Sequence, residues 1–448
     1  MQRTGLVFAS LVVVASLIAC GGLEPGPIES QTDDQPSSQI GTASEAPPTE
    51  EPEPAGQGNG LPTYGEPELI TDLEPGSHAE ASPFIVDVNG DGLEDVVLIK
   101  IRFATYDEFE LEVILNNGQG GMDVETSSMF EGPVPRVSHT TDVVFADFNG
   151  DGRPDIFVAD HGYDAPPFPG HPNLLVLSTP GGRLTDATSN MPVLDDFTHS
   201  ACAADIDGDG DIDLYVGNTE SPPDIDPQLL MNDNAQFSTA QGRLPNSIDL
   251  DYNSYTYCAF ADVDNDEDAD LILGGDRRNG STVLLNNGEG FFSAVADSIP
   301  LVSGYSESTV HDIEPIELNG DGFIDLVMVQ ETIPEQSDIQ ILINNRDSTF
   351  RDETASRIDP LPRTLYVGYL LLQDLDRDGD LDLLAKHLDY RDPDPPLFIN
   401  DGHGYFSLVD FDFNLTYLYY AFFDLEGDGV DEIILWGDDQ DLFILREE

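Results

Sequence analysis

Short apolar runs alternate with Asp- and Gly-rich turns from about residue 61 to the C-terminus. Pro83 to Val86, Val143 to Ala146, Cys258 to Ala261, Leu370 to Gln373 and Ala421 to Phe423 each stand before such a turn. Val96 to Ile99, Ile156 to Val158, Leu214 to Val216, Leu271 to Leu273, Leu326 to Val329 and Ile433 to Trp436 each follow one. Apolar runs this short, bounded by Gly and Asp, predict buried strands. Each pair with its turn predicts a hairpin. A second pattern comes later in the unit: Val283 to Phe292, Ile341 to Phe350 and Leu397 to Phe406 each read as an apolar strand, an Asn/Asp/Gly turn and an aromatic that opens another strand. That is a second hairpin. Looser copies start at Leu115, Leu174 and Leu229.

The turns of the first hairpins share one plan, clearest in Asp205-Ile206-Asp207-Gly208-Asp209-Gly210-Asp211-Ile212-Asp213. Carboxylates stand at places one, three, five and nine, and the sixth place holds Gly210, where a tight turn needs a residue without a Cβ. Curled up, such a stretch aims four carboxylates and the place-seven carbonyl at one centre. Carboxylates so close repel strongly without a cation, and hard oxygen ligands in a flexible loop suit Ca²⁺. Seven copies occur, 50 to 60 residues apart. Their candidate ligands are Asp87, Asn89, Asp91, Leu93 and Asp95; Asp147, Asn149, Asp151, Arg153 and Asp155; Asp205, Asp207, Asp209, Asp211 and Asp213; Asp262, Asp264, Asp266, Asp268 and Asp270; Glu317, Asn319, Asp321, Phe323 and Asp325; Asp374, Asp376, Asp378, Asp380 and Asp382; and Asp424, Glu426, Asp428, Val430 and Glu432. The turns opening at Asp205, Asp262 and Asp374 are fully acidic and are the strongest candidates. Glu267 replaces the usual Gly in the fourth, which predicts strain there. Glu317, Glu426 and Glu432 predict weakened or reshaped sites in the fifth and seventh. About seven Ca²⁺ is the upper expectation. An EF-hand needs a bidentate Glu at place twelve and flanking helices. Place twelve here is Leu98, Val158, Val216, Leu273, Met328, Ala385 and Leu435, and strands flank the turns.

Two hairpins in about 56 residues make the four strands of one propeller blade, and seven repeats make an all-β ring. The seventh repeat stops at Leu442 to Leu445, one strand short. Thr63 to Ile70 resembles the missing strand, so the N-terminal strand is expected to complete blade seven and remove the exposed edges of an open ring.

Charge and the N-terminus set the context. The 448 residues include 87 acidic and 17 basic ones, for a formal charge of −70. Nucleic acid and anionic membrane surfaces are excluded as partners on this balance. Arg3 precedes an apolar run, Leu6 to Ala19, too short to span a bilayer, which predicts a secretory signal over residues 1–19. Leu17-Ile18-Ala19-Cys20 resembles the lipobox of bacterial lipoproteins. The resemblance implies that Cys20 carries lipid and that the protein is anchored in the cell envelope, at the outer membrane or cell surface. Residues 20–60 are rich in Pro, Glu, Ser, Thr and Gly and predict an extended tether. The propeller is assigned to residues 61–448.

No catalytic constellation stands out: there is no phosphate loop, His-Glu-x-x-His or nucleophile elbow. His199 and His311 each lie six residues before a turn, at the face opposite the acidic rim, either as a ligand site or as ordinary strand-end residues. Tyr255, Tyr257, Tyr366, Tyr369, Tyr417, Tyr419 and Tyr420 lie on the same strands, either gripping a ligand or packing between blades. Cys202 and Cys258 fall on opposite faces of equivalent strands in neighbouring repeats, and a disulfide between them is possible in an oxidising compartment.

The repeats resemble the FG-GAP/VCBS family, the type found in integrin α-subunit heads and in secreted bacterial proteins. The resemblance covers about 61–448 and implies a seven-bladed β-propeller with Ca²⁺ on one rim. The literal Phe-Gly and Gly-Ala-Pro motifs are absent, so the VCBS form is nearer. It implies adhesion or the binding of a protein or polysaccharide, and together with the lipid anchor the expectation is a monomeric surface module. The alternatives are an extracellular lyase or hydrolase using the propeller face, and a purely structural envelope protein.

Overall fold

The computed structural model describes residues 10–12, 61–72, 80–101, 107–163, 169–193, 197–218, 226–245, 255–276, 280–302, 307–332, 336–361, 367–387, 395–411, 419–427, 430–436 and 441–447. Cys20 and the tether lie outside them. The chain divides into two units, residues 1–14 with 61–448, and residues 15–60.

Seven antiparallel sheets carry the chain, and each blade is read from its inner strand outward. Blade 1 comprises Glu80–Val86, Asp95–Ile101, Glu112–Asn116 and Met122–Val124. Blade 2 begins at Thr140–Ala146 and blade 3 at Thr198–Ala204. Blades 4, 5 and 6 begin at Tyr255–Ala261, Ser308–Ile316 and Val367–Gln373. Blade 7 runs Tyr419–Phe423, Glu432–Trp436, Asp441–Leu445 and then Glu68–Asp72, so its fourth strand is N-terminal, as expected. Glu68 pairs with Ile444 and Asp72 with Asp441. Ser10–Val12 adds a parallel strand on Thr140–Ala146.

The continuous apolar runs are explained by burial on both faces. Along the second strand of blade 2, Ile156 and Val158 pack toward blade 1, while Phe157 and Ala159 pack toward blade 3. Alternation with period two thus feeds two cores at once. Seven apolar clusters result, one per blade–blade junction. The cluster joining Phe423, Ile434 and Trp436 of blade 7 to Val96, Leu98 and Ile114 of blade 1 closes the ring.

Candidate metal centres

Every acidic turn joins the inner strand of a blade to its second strand, so all seven lie on one rim. Backbone donors shape them. In blade 3, Asp205 accepts N–H bonds from Gly208, Asp209 and Gly210 at 2.8, 3.2 and 3.0 Å, and Asp209 accepts from Asp211 at 3.0 Å. Place six requires positive φ: +93° at Gly210 and +74° at Glu267, so the strain expected in the fourth turn is present.

Place nine does a second job. Asp213 accepts N–H bonds from Ile206 at 3.3 Å and from Asn232 at 2.7 Å. Asp95, Asp155, Asp270, Asp325 and Asp382 repeat this brace, tying the turn to the end of the third strand. All are buried. Burial, reinforced in most by neighbouring carboxylates, raises Asp95, Asp213 and Asp270 to about 7 and Asp155, Asp325 and Asp382 to about 6.

Three turns bring carboxylates together as a set. Asp205, Asp207 and Asp213, then Asp262, Asp264 and Asp270, then Asp374, Asp376 and Asp382, each offer oxygens within 4.8 Å of one another and can hold a metal ion. These are the fully acidic turns. In each, the place-three carboxylate keeps one buried oxygen with no hydrogen-bond partner: Oδ1 of Asp207, Asp264 and Asp376. A buried, unsatisfied carboxylate oxygen is costly unless a cation meets it, and hard oxygens at this spacing suit one, so the residues fit a hard divalent ion.

Blades 1, 2 and 5 differ at place three and lack the acid at place seven. Asn replaces Asp at place three, and its amide donates to a turn carboxylate: Asn89 to Asp91 at 3.0 Å, Asn149 to Asp155 at 2.9 Å and Asn319 to Asp325 at 2.9 Å. In blade 2, Asp151 Oδ2 is buried without a hydrogen-bond donor, with Arg153 Nη1 3.9 Å away. In blade 7, Asp424, Glu426 and Glu432 are described, and Asp428 lies outside the described residues.

Sequence reasoning missed the asparagine that ends most third strands, reading Asn-Asn-Gly as turn chemistry alone. Its side chain stitches blades together. Asn116, Asn232, Asn286 and Asn344 each donate at 2.8 Å to a place-two carbonyl of the preceding blade, those of Leu425, Phe148, Ile206 and Val263. The recurrence of Asn 16 to 21 residues after the place-nine acid in five of the seven repeats was the available signal.

The other candidates resolve as follows. His199 stacks on His161 at 5.2 Å between centroids, and His161 on His139 at 4.4 Å, where the inner strands of blades 2 and 3 begin. Burial holds His199 down at about 4 and His161 well below the usual imidazole range. His311 stands apart, 3.7 Å from Glu331. Tyr255, Tyr257 and Tyr420 are buried, Tyr255 and Tyr257 in the cores between blades 3, 4 and 5, and Lys386 lies over the rings of Tyr369 and Tyr420. Tyr366 and Tyr417 lie outside the described residues. Cys202 and Cys258 are joined as a disulfide between the inner strands of blades 3 and 4, with Cα atoms 6.0 Å apart.

The acidic rim also carries arginines laid over aromatic rings. Arg243 covers Phe291 at 5.0 Å, Arg346 covers Phe323 at 5.5 Å and Arg357 covers Tyr405 at 4.8 Å. Phe291 and Tyr405 remain 47% and 45% exposed, large values for aromatics in a packed sheet protein.

A family model described as FG-GAP-like repeat matches residues 82–158, 262–328 and 317–385, which hold the turns of blades 1, 2, 4, 5 and 6. No curated protein matches at a significant level. Among solved structures, an Agrocybe aegerita lectin described for specific recognition of non-reducing terminal N-acetylglucosamine matches at 19% identity, covering 73% of this chain and 79% of that one, with a TM-score of 0.45. That score carries no argument about a ligand.

Proposed function

We propose that the chain, an FG-GAP-repeat β-propeller, is a calcium-held binding module that captures a protein or polysaccharide at a bacterial cell surface, anchored by lipid on Cys20. The fold fits a binding or structural role, and one observation favours binding: Phe291 and Tyr405 stand exposed on the rim that also bears the carboxylate triads. Flat apolar rings flanked by guanidinium groups suit sugar faces and peptide side chains. Asp205, Asp207 and Asp213 and their counterparts in blades 4 and 6 would hold the ions, with Ca²⁺ neutralising their converging charge when bound. The backbone bonds of places one and five shape the turn, and place nine ties it to the third strand. Arg243 links this frame to the aromatic rim: it lies over Phe291, donates to Glu289 O at 2.7 Å and approaches Asp207 at 3.5 Å.

The test uses the full-length chain on glycan arrays and in pull-downs of secreted proteins, with Ca²⁺ and with chelator. Phe291→Ala and Tyr405→Ala are expected to weaken capture at least tenfold at unchanged melting temperature, and chelation to weaken it further. Capture that survives both substitutions together removes the rim from the binding role. Absence of any ligand, with an envelope defect on deletion, favours a structural role instead.

A further inference from the structure

Among the described residues, guanidinium groups face turn carboxylates in four blades: Arg153 lies 3.9 Å from Asp151 in blade 2 and Arg243 lies 3.5 Å from Asp207 in blade 3, and the approach is closest in blades 5 and 7. In blade 5, Arg346 Nε and Nη2 lie 3.3 and 3.1 Å from Asp321 Oδ2, the place-five acid. The other oxygen of Asp321 accepts the N–H of Phe323 at 2.9 Å. Asn319 donates its amide to Asp325, and Glu317 Oε1 accepts N–H bonds from Asn319, Gly320 and Asp321. In blade 7, Arg446 Nη1 lies 2.8 Å from Glu426 Oε1 and 3.8 Å from Glu432 Oε1, places three and nine. The second oxygen of Glu432 is taken by the N–H of Leu425 at 2.9 Å. Blades 3, 4 and 6 each keep a buried place-three oxygen with no donor, even in blade 3, where Arg243 approaches the other oxygen of Asp207 at 3.5 Å.

Arginine stays charged at any accessible pH, and its planar fork suits carboxylates. A second cation a few ångströms away would be repelled, and the guanidinium cancels one of the carboxylate charges that would attract it. We propose that Arg346 and Arg446 are the resident cations of blades 5 and 7, and that these two turns take no divalent ion. The inference rests on the metal reading above and sharpens it: the chain binds at most five ions, with blades 3, 4 and 6 the tightest because they offer the most carboxylates. The glutamates of blade 7 fit this assignment. Glu426 and Glu432 reach a guanidinium that comes from the end of the chain. Arg446 also donates to Gly120 O at 2.9 Å and approaches Glu68 at 3.4 Å. One side chain thus neutralises a turn and ties the closing N-terminal strand to blades 7 and 1.

Native mass spectrometry of the full-length chain in excess Ca²⁺ tests this, with melting curves to confirm that each variant is folded. Wild type should carry no more than five ions. Asp207→Asn, Asp264→Asn and Asp376→Asn should each lose one. Asp321→Asn and Glu426→Gln should leave the count unchanged. Six or seven ions in wild type, or an ion lost with Asp321→Asn or Glu426→Gln, overturns this assignment while leaving calcium binding intact. A count of zero overturns both readings.

Discussion

Blades 4 and 5 are neighbours built on the same turn, yet they answer their charge differently. In blade 4, Asp264 points a buried oxygen at no donor. In blade 5, Asn319 occupies that place with an amide, and Arg346 meets Asp321. Much of the backbone scaffold is shared: place one accepts the place-five N–H in both, Asp262 adding that of Glu267 and Glu317 those of Asn319 and Gly320, and Asp270 and Asp325 brace equivalent strands. Turn geometry and ion demand are therefore separable. Backbone donors can shape the loop while the identity of one or two side chains decides whether a cation must come from outside.

The strongest way to break the comparison is to remove both braces. Asp270→Ala strips acceptors from the N–H groups of Val263 and Asn286, and Asp325→Ala strips them from Leu318 and Asn344. With one to three kcal/mol per buried donor left unpaired, each should cost about 4 kcal/mol in urea unfolding with chelator present. In Ca²⁺ at a hundredfold excess over its dissociation constant, Asp270→Ala should cost about 2.7 kcal/mol more, and Asp325→Ala nothing more. Equal costs in both conditions would mean the two blades do not differ in metal demand.

pH sharpens it next. Asp270 is raised to about 7 and Asp325 to about 6, each against a usual 3.8 and each chiefly by burial. A carboxyl raised on folding holds its proton more tightly in the folded state, so its stabilising share is complete below pH 4 and is lost as pH climbs through 6 to 7. In chelator, melting temperature should therefore fall between pH 5 and pH 8. Saturating Ca²⁺, which binds the deprotonated triads, should offset that fall. Parallel curves with and without Ca²⁺ would contradict this.

The shared seam comes third. Asn344 of blade 5 donates to Val263 O of blade 4 and, at 2.9 Å, to Ile324 O, and its own Oδ1 accepts the N–H of Arg346. Asn344→Ala should cost about 2 kcal/mol whether or not Ca²⁺ is present. A cost confined to the calcium-loaded protein would make the residue part of the ion site. The smallest effect belongs to Glu267, held at φ +74°. Glu267→Gly should stabilise blade 4 by about 1 kcal/mol or less, since relief of the left-handed strain exceeds the added freedom of the unfolded chain.

The blades were legible in the sequence because buried runs such as Ile156 to Val158 need both faces apolar and because Asp-Gly turns punctuate them at a steady period. The missing strand of blade 7 was legible as a deficit at one terminus and a surplus at the other. The three carboxylate triads were legible as a count of acidic residues, since Asp207, Asp264 and Asp376 differ from Asn89, Asn149 and Asn319 in the letters themselves. The arginines were not. Arg346 lies 25 residues from Asp321 and Arg446 lies 20 from Glu426, and only folding brings each pair together. The stitches of Asn116, Asn232, Asn286 and Asn344 were hidden for a different reason: Asn beside Gly is sufficiently explained by a turn, so nothing in the local pattern asks for a second partner in another blade.

The N-terminal strand, Glu68–Asp72, has a mechanical consequence. Six blades each take their antiparallel strands from one uninterrupted stretch of chain, with Ser10–Val12 added to blade 2. The seventh is fastened by the first strand of the ring, the one next to any load carried by residues before 61. A pull from that side meets the pairing of Glu68–Asp72 with Asp441–Leu445 first, with Arg446 bridging Glu68, Glu426 and Gly120 beside it. The clasp is therefore also the expected fuse: under force the ring should open at this joint while the other six blades still hold their shape.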